Sequence, residues 1–297
     1  MGKQEDRRPP EGAHNAGERM FVEEFSLNAA EVFQLPLSPD TVTPPLPCLG
    51  SLLGVGASLF LASDLFPACS SRRGNRLERA PLNVVPFVQS AVYSGERLDQ
   101  FDLDVFLGCV LKDIRKEKPA RRSMRDFLRT LGRRPTPPCV ARLEASLLRL
   151  AAARIELADQ RFGCCVQLVE SVLVDREQGV CRVKAAPEAL AALGETERLE
   201  ELAKVRLRLG QRLLAKWLAG LITVVGGESC LLDLNRLRDL CGMRSASMAN
   251  FSDRALAALS TLVDMGYIHS THQSPNGRFM IVRHTGRSVA PECQLVW

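Results

Sequence analysis

The chain has 297 residues, 46% hydrophobic and 25% charged, with a formal net charge of +5, which supplies cores for two medium domains and excludes a wholly disordered polymer. Residues 1–80 hold eight Lys/Arg against ten Asp/Glu, so the basic excess falls in residues 81–297 and points to an anionic partner such as nucleic acid. Ten cysteines without a C-x-x-C pair fit neither a zinc framework nor a secreted disulfide scaffold; they read as free thiols in a reducing cytoplasm.

Residues 1–19 are polar and are expected to be disordered. Glu5, Asp6 and Glu11 are unlike a secretory signal, so a cytoplasmic location is expected. Pro36, Pro39, Pro44, Pro45 and Pro47 exclude regular helix over residues 35–48. Cys48–Ser63 carries no charge over sixteen residues and contains Gly50, Gly54 and Gly56. It is shorter than the ~20 apolar residues of a membrane span, and reads as a buried or interfacial segment. Weak membrane association through residues 49–66 stays open. Ser70–Arg79 reads as a basic linker, with the first folded domain after it.

Val84–Ser94 is strand-like, rich in β-branched and aromatic residues. Leu98–Lys116 has an apolar stripe at helical spacing through Phe101, Val105, Leu107, Val110 and Ile114. Ser123–Leu131 predicts a short helix capped by Ser123 and ended by Gly132. After an Arg133–Pro138 turn, Cys139–Ala152 predicts a third helix. Strands are expected at Ile155–Ala158, Val166–Asp175 and Val180–Val183, with a turn at Gln178-Gly179. Pro187–Leu193 and Glu195–Val205 read as linking helices.

The second half repeats this order. It has a helix over Leu207–Leu221, a short strand at Cys230–Asp233, and a helix over Leu234–Cys241 ended by Gly242. A long helix capped by Ser245 or Ser247 runs to Met265 and ends at Gly266. Strands at Tyr267–Gln273 and Phe279–Arg283 flank Asn276-Gly277, a hairpin signal. Helix, helix, turn, helix and hairpin is the order of a winged helix. The expected fold is α+β: two tandem winged-helix domains, residues 81–194 and 195–297, preceded by a largely disordered N-terminal region, residues 1–80.

A helix-turn-helix places the N-terminal residues of its second helix nearest the base edges. In the first unit these are Arg133, Arg134, Thr136 and Arg142, with Arg121 and Arg122 close by. Residues 112–142 hold eleven Lys/Arg against three acids, a density that either binds phosphate or forms a solvated basic loop. The corresponding residues of the second unit are Arg244, Ser245, Ser247, Asn250 and Arg254. Arg can pair with guanine and Asn with adenine, whereas a serine there can simply cap the helix. Arg278 and Arg283 lie on a wing without acids, suited to a phosphate backbone or minor groove. His269, His272 and His284 have no cysteine at ligand spacing, so no metal and no cofactor is expected.

Enzymatic chemistry is not expected. The sequence has no Gly-Lys pair followed by Ser or Thr for a phosphate cradle. It has no His-x-His pair for a nicking site, and its tyrosines are Tyr93 and Tyr267.

The chain resembles the TrfA-type plasmid replication initiators. The resemblance rests on Tyr93-Ser94-Gly95-Glu96-Arg97-Leu98, followed by Asp99, Asp102 and Asp104. It continues through Phe127-Leu128, Leu131-Gly132, Ala145-x-x-x-Arg149-Leu150, Leu237–Gly242 and the long helix ending at Gly266, covering residues 83–285. It implies binding of double-stranded DNA at direct repeats (iterons) of a plasmid origin, opening of an adjacent segment with contact to single-stranded DNA, and recruitment of the host initiator and replicative helicase. Homodimers of such families tend to be inactive stores. Gln34-Leu35-Pro36-Leu37 resembles the Gln-Leu-x-Leu core of sliding-clamp-binding peptides, through Gln34, Leu35 and Leu37; Ser38 stands where an aromatic is common, and a meaningless proline-rich stretch is the alternative. A winged-helix transcriptional repressor of plasmid genes is the rival function.

Overall fold

The computed structural model of the chain describes residues 56–69, 74–84, 90–115, 121–158, 163–193, 196–225, 229–273 and 278–282. The uncharged run near residue 50 ends in helix α1 (Gly56–Leu61). Leu59, Phe60, Leu61, Leu65 and Phe66 are all buried. Phe60 and Phe66 pack on Phe106, with ring centroids 5.5 and 6.3 Å apart. The backbone that follows is held too: the Trp217 indole donates to the Ser63 carbonyl at 2.9 Å, and the Gln100 amide donates to that of Phe66. These apolar groups are used inside the protein core. Over the described part of residues 49–66 this agrees with the expected buried segment and argues against the membrane association that had stayed open, and among the described residues no helix is long and apolar enough to cross a membrane.

The expected linker over residues 70–79 is also corrected in part. Strand β1 (Arg76–Pro81) pairs antiparallel with β2 (Ser90–Glu96). Arg76, Glu78 and Arg79 are exposed because β1 is the edge of its sheet, where charged side chains guard against further pairing. A charge-rich edge strand and a linker look alike in composition. Folded structure therefore reaches well into the region expected to be largely disordered.

Helix α2 (Gln100–Ile114) starts in a capping box, with Asp99 accepting from the Phe101 and Asp102 amides and Asp102 accepting from the Asp99 amide. A two-residue strand, β3 (Arg122–Ser123), leads into α3 (Met124–Thr130), whose first turn is capped by Ser123 as expected. Helix α4 (Pro137–Ala152) follows. Strands β4 (Arg154–Ala158) and β5 (Gly163–Gln167) join the first sheet in the order β1-β2-β4-β5. Strands β6 (Val169–Asp175) and β7 (Val180–Ala185) form a second sheet with β3, in the order β3-β7-β6. The single strand expected over Val166–Asp175 is thus two strands in different sheets. Leu168 and Val169 are both buried, so the alternation that a continuous strand requires fails between them.

Helices α5 (Pro187–Leu193) and α6 (Thr196–Leu209) lead to α7 (Leu213–Val225). The helix expected over Leu207–Leu221 is divided at Gly210, whose φ of 59° ends α6. Strand β8 (Ser229–Asp233), helices α8 (Leu234–Leu240) and α9 (Met248–Asp264), and strands β9 (Ser270–Gln273) and β10 (Arg278–Val282) complete the described chain. Their sheet runs β8-β10-β9.

One topological order occurs twice. Helix, strand, helix, helix and hairpin appear as α2-β3-α3-α4-β6-β7 and as α7-β8-α8-α9-β9-β10. In both sheets the last strand lies between the other two. The first copy carries an insertion, β4-β5, that pairs with β2. Helix α6 packs on both α2 and α7, joining elements on either side of the boundary expected at 194/195. All described residues belong to one compact unit, Leu46–Trp297.

Candidate nucleic-acid interface

The turns entering α4 and α9 are built alike. Leu131 and Cys241 cap their preceding helices by donating to the carbonyls of Phe127 and Leu237. The next residue is a glycine with φ of 65° (Gly132) or 73° (Gly242), backbone that a side chain would strain. Arg133 then donates to the Leu128 carbonyl at 2.8 Å, and Met243 to that of Arg238 at 2.9 Å. This leaves Arg134 and Arg244 at the same place, two residues past the glycine, and both are exposed.

Helix α4 starts at Pro137, two residues before the expected Cys139, because prolines at the first helical positions give up amides that have no partner there. Thr136 is the extended N-cap residue, and its exposed side chain makes no capping bond. In α9 the cap is Ser247, not Ser245: its hydroxyl accepts from the Asn250 amide at 3.4 Å. Ser245 is exposed in the turn before it. Both helix N-termini therefore open to solvent beside arginines, an arrangement that attracts phosphate.

The expected contact residues differ in how free they are. Arg134 and Arg254 are exposed and make no ion pair among the described residues, and the side-chain amide of Asn250 has no hydrogen-bond partner among them either. Arg121 reaches Asp175 at 2.9 Å and Arg244 reaches Asp64 at 3.6 Å, yet their side chains stay 55% and 56% exposed. Such pairs are worth about 0–1 kcal/mol, so an incoming phosphate can replace the carboxylate at small cost. Arg122 lies over the Phe127 ring, 3.9 Å from its centroid, and bonds to Thr130. Arg142 turns back from the helix to Asp99 at 3.3 Å and lies 4.3 Å above the Phe101 ring, with Arg133 5.9 Å from the same ring. Arg278 stands opposite Asp233 in the β10–β8 register. Arg283, Gln34, Leu35 and Leu37 lie outside the described residues.

Three features were not read from the sequence. Arg125 is exposed on α3 without an ion pair among the described residues. Asp253 shares the outer face of α9 with Asn250, Arg254 and Ala257, placing an acceptor among donors. On α4 the outward residues are Ala141, Ala145 and Leu148, the last 50% exposed. Helical periodicity separates the faces of α4, but it takes the buried positions Leu143, Ser146, Leu147 and Leu150 to show that its solvent side is apolar. Methyl groups there suit thymine methyls rather than hydrogen-bonded base edges. Among the described residues no group of three or more His, Cys, Asp or Glu could hold a metal ion.

No family model matches the chain, and no curated protein matches it. Among solved structures, the chain is similar to a selenomethionine crystal structure of domains 2 and 3 of RctB. The identity is 11% and the TM-score 0.51, over 77% of this chain and 96% of that one. A second crystal structure of RctB domains 2–3 aligns at 11% identity and TM-score 0.45, covering 77% and 97%. The first likeness shows a shared mixed α+β fold over most of the chain.

Proposed function

We propose that this chain is a plasmid replication initiator: a sequence-specific DNA-binding protein with two winged-helix units that read origin iterons. The observation that carries the reading is the repeated topology, in which the last helix of each copy begins at a solvent-open N-terminus beside an exposed arginine. A chain with two unlike reading heads can grip neighbouring stretches of duplex without a partner chain, which a simple repressor normally requires. The TrfA-type resemblance supplies the biological role, and the fold shared with RctB domains 2 and 3 is compatible with it.

In this reading Arg134, Arg244 and Thr136 bind phosphates and set register, while Asn250, Arg254 and Asp253 read bases from α9. Helix α4 contributes shape and methyl contacts. No bond is made or broken by the protein. Origin opening draws on binding energy, through DNA bending and capture of a separated strand. Host initiator, replicative helicase and sliding clamp are the partners proposed, the clamp through Gln34, Leu35 and Leu37, with a homodimer as the storage form.

The test is binding of the purified full chain to direct repeats flanking its gene, followed by selection for maintenance of a plasmid carrying those repeats. Repeat binding with plasmid maintenance supports an initiator. Binding with promoter repression but no maintenance supports the repressor instead.

A further inference from the structure

A cavity of about 460 Å³ opens between α2, the end of α3, α6 and α7. Its apolar wall includes Leu107, Leu111, Leu131 and Leu207, the last 47% exposed. Its cationic lining includes Lys112, Arg115, Arg121, Arg206 and Lys216. Arg121 and Arg122, named above as DNA-contact candidates, stand at its rim, and the other cations have no part in the proposed DNA contacts.

The floor is electrostatically incomplete. Arg206 and Lys216 have side chains 2% and 4% exposed, and they share one carboxylate, Asp104. Arg206 Nε is 2.9 Å from Asp104 Oδ1, and Lys216 Nζ is 2.5 Å from Oδ2. Arg206 Nη2 lies 2.8 Å from the same Oδ1, and Nη1 and Nη2 also donate to the neutral carbonyls of Lys216 at 3.2 Å and Gln100 at 3.0 Å. Two buried cations thus face a single anion. An uncompensated buried charge is strongly unfavourable unless a counter-charge joins it. Burial, followed by the opposing influences of Asp104 and Arg206, leaves the Lys216 ammonium below the ordinary lysine pKa.

We propose that this cavity binds a small phosphorylated molecule, its phosphate on the Arg206–Lys216 floor and its apolar body against the leucines. The volume lies in the range of small-ligand pockets. Lys112 and Arg115 at the rim would add charge contacts; Arg115 exchanges an exposed pair with Glu200 at 2.7 Å. Because the walls come from both topological copies and from α6, an occupant would brace one against the other.

The test is thermal unfolding of the full chain with inorganic phosphate or pyrophosphate against chloride at matched ionic strength. Wild type should gain a saturable rise of roughly 5 °C at about 100-fold excess over the dissociation constant. Lys216→Met should melt higher than wild type without ligand, since it removes the excess cation, and should lose the saturable rise. Lys112→Gln, a half-buried rim residue, should keep the unliganded melting temperature and weaken the response at least several-fold. An equal rise in wild type and Lys216→Met would be a general anion effect and overturns the proposal, as does no rise at all. A rise with a short single-stranded oligonucleotide alone would assign the cavity to DNA, and equally overturns it.

Discussion

Asp102 and Arg149 form a buried ion pair, 2.6 Å apart with side chains 1% and 16% exposed, that fixes α4 to the start of α2. Ser146 adds a hydroxyl donor to the same carboxylate oxygen at 2.5 Å, and the Asp99 amide donates to the other at 2.8 Å. Burial, and then the neighbouring Asp99 carboxylate, raise the Asp102 pKa against the pull of Arg149. The carboxylate thus depends on its partners to stay charged. Arg149→Met should destabilise the chain by about 3–5 kcal/mol, because it strands a buried charge. Adding Asp102→Asn should recover much of the loss. Urea unfolding of the single and double variants measures both.

Gly95 sits against the same joint. Its φ is 149°, and a Cβ there would lie 2.7 Å from the Tyr93 hydroxyl oxygen. That hydroxyl donates to the Glu96 carbonyl. Gly95→Ala should cost roughly 1–3 kcal/mol from backbone strain and collision together. If Tyr93→Phe in that background recovers nothing, the collision is not the cause.

DNA affinity should fall steeply with salt. With about 6–10 phosphate contacts the loss between 50 and 200 mM is on the order of a thousandfold or more. Arg134→Ala should weaken all sequences alike and lower the salt slope by about one. Asn250→Ala or Arg254→Ala should instead relax preference, by about 1–3 kcal/mol per lost base contact. Titrations against cognate and scrambled repeats at several salt concentrations separate the two classes. Unchanged preference in both α9 variants would move base reading elsewhere.

Truncation tests the N-terminal boundary. Deleting residues 1–80 removes Leu59, Phe60, Leu61, Leu65 and Phe66 from the core, and with them strand β1. The product should unfold non-cooperatively or fail to accumulate. Deleting residues 1–45, up to the start of the compact unit, should preserve a cooperative transition in calorimetry.

The cysteines should divide by burial. Burial pushes the Cys241 thiol up to about 12, and raises Cys109 and Cys181 as well. Cys165 is exposed on β5. Alkylation at neutral pH, followed by mass spectrometry, should label Cys165 well before these three. Early labelling of Cys109 would mean that the packing around α2 is looser than described.

The element order was legible because it rests on local signals: Ser123 capping α3, glycines at 132, 242 and 266 in left-handed backbone, and an apolar period along α2 and α9. The basic turns at Arg134 and Arg244 could be found the same way, since an arginine beside a helix start is a short-range pattern. Partner choice was not legible. Arg142 turning to Asp99, Arg149 closing on Asp102, and two cations sharing Asp104 join residues 43, 47 and more than 100 positions apart. The placement of α1 in the core and the split of β5 from β6 are of the same kind. Composition and periodicity report what a segment can bury, whereas its partner is set by long-range packing, and here that packing decided which charges stay exposed and unpaired.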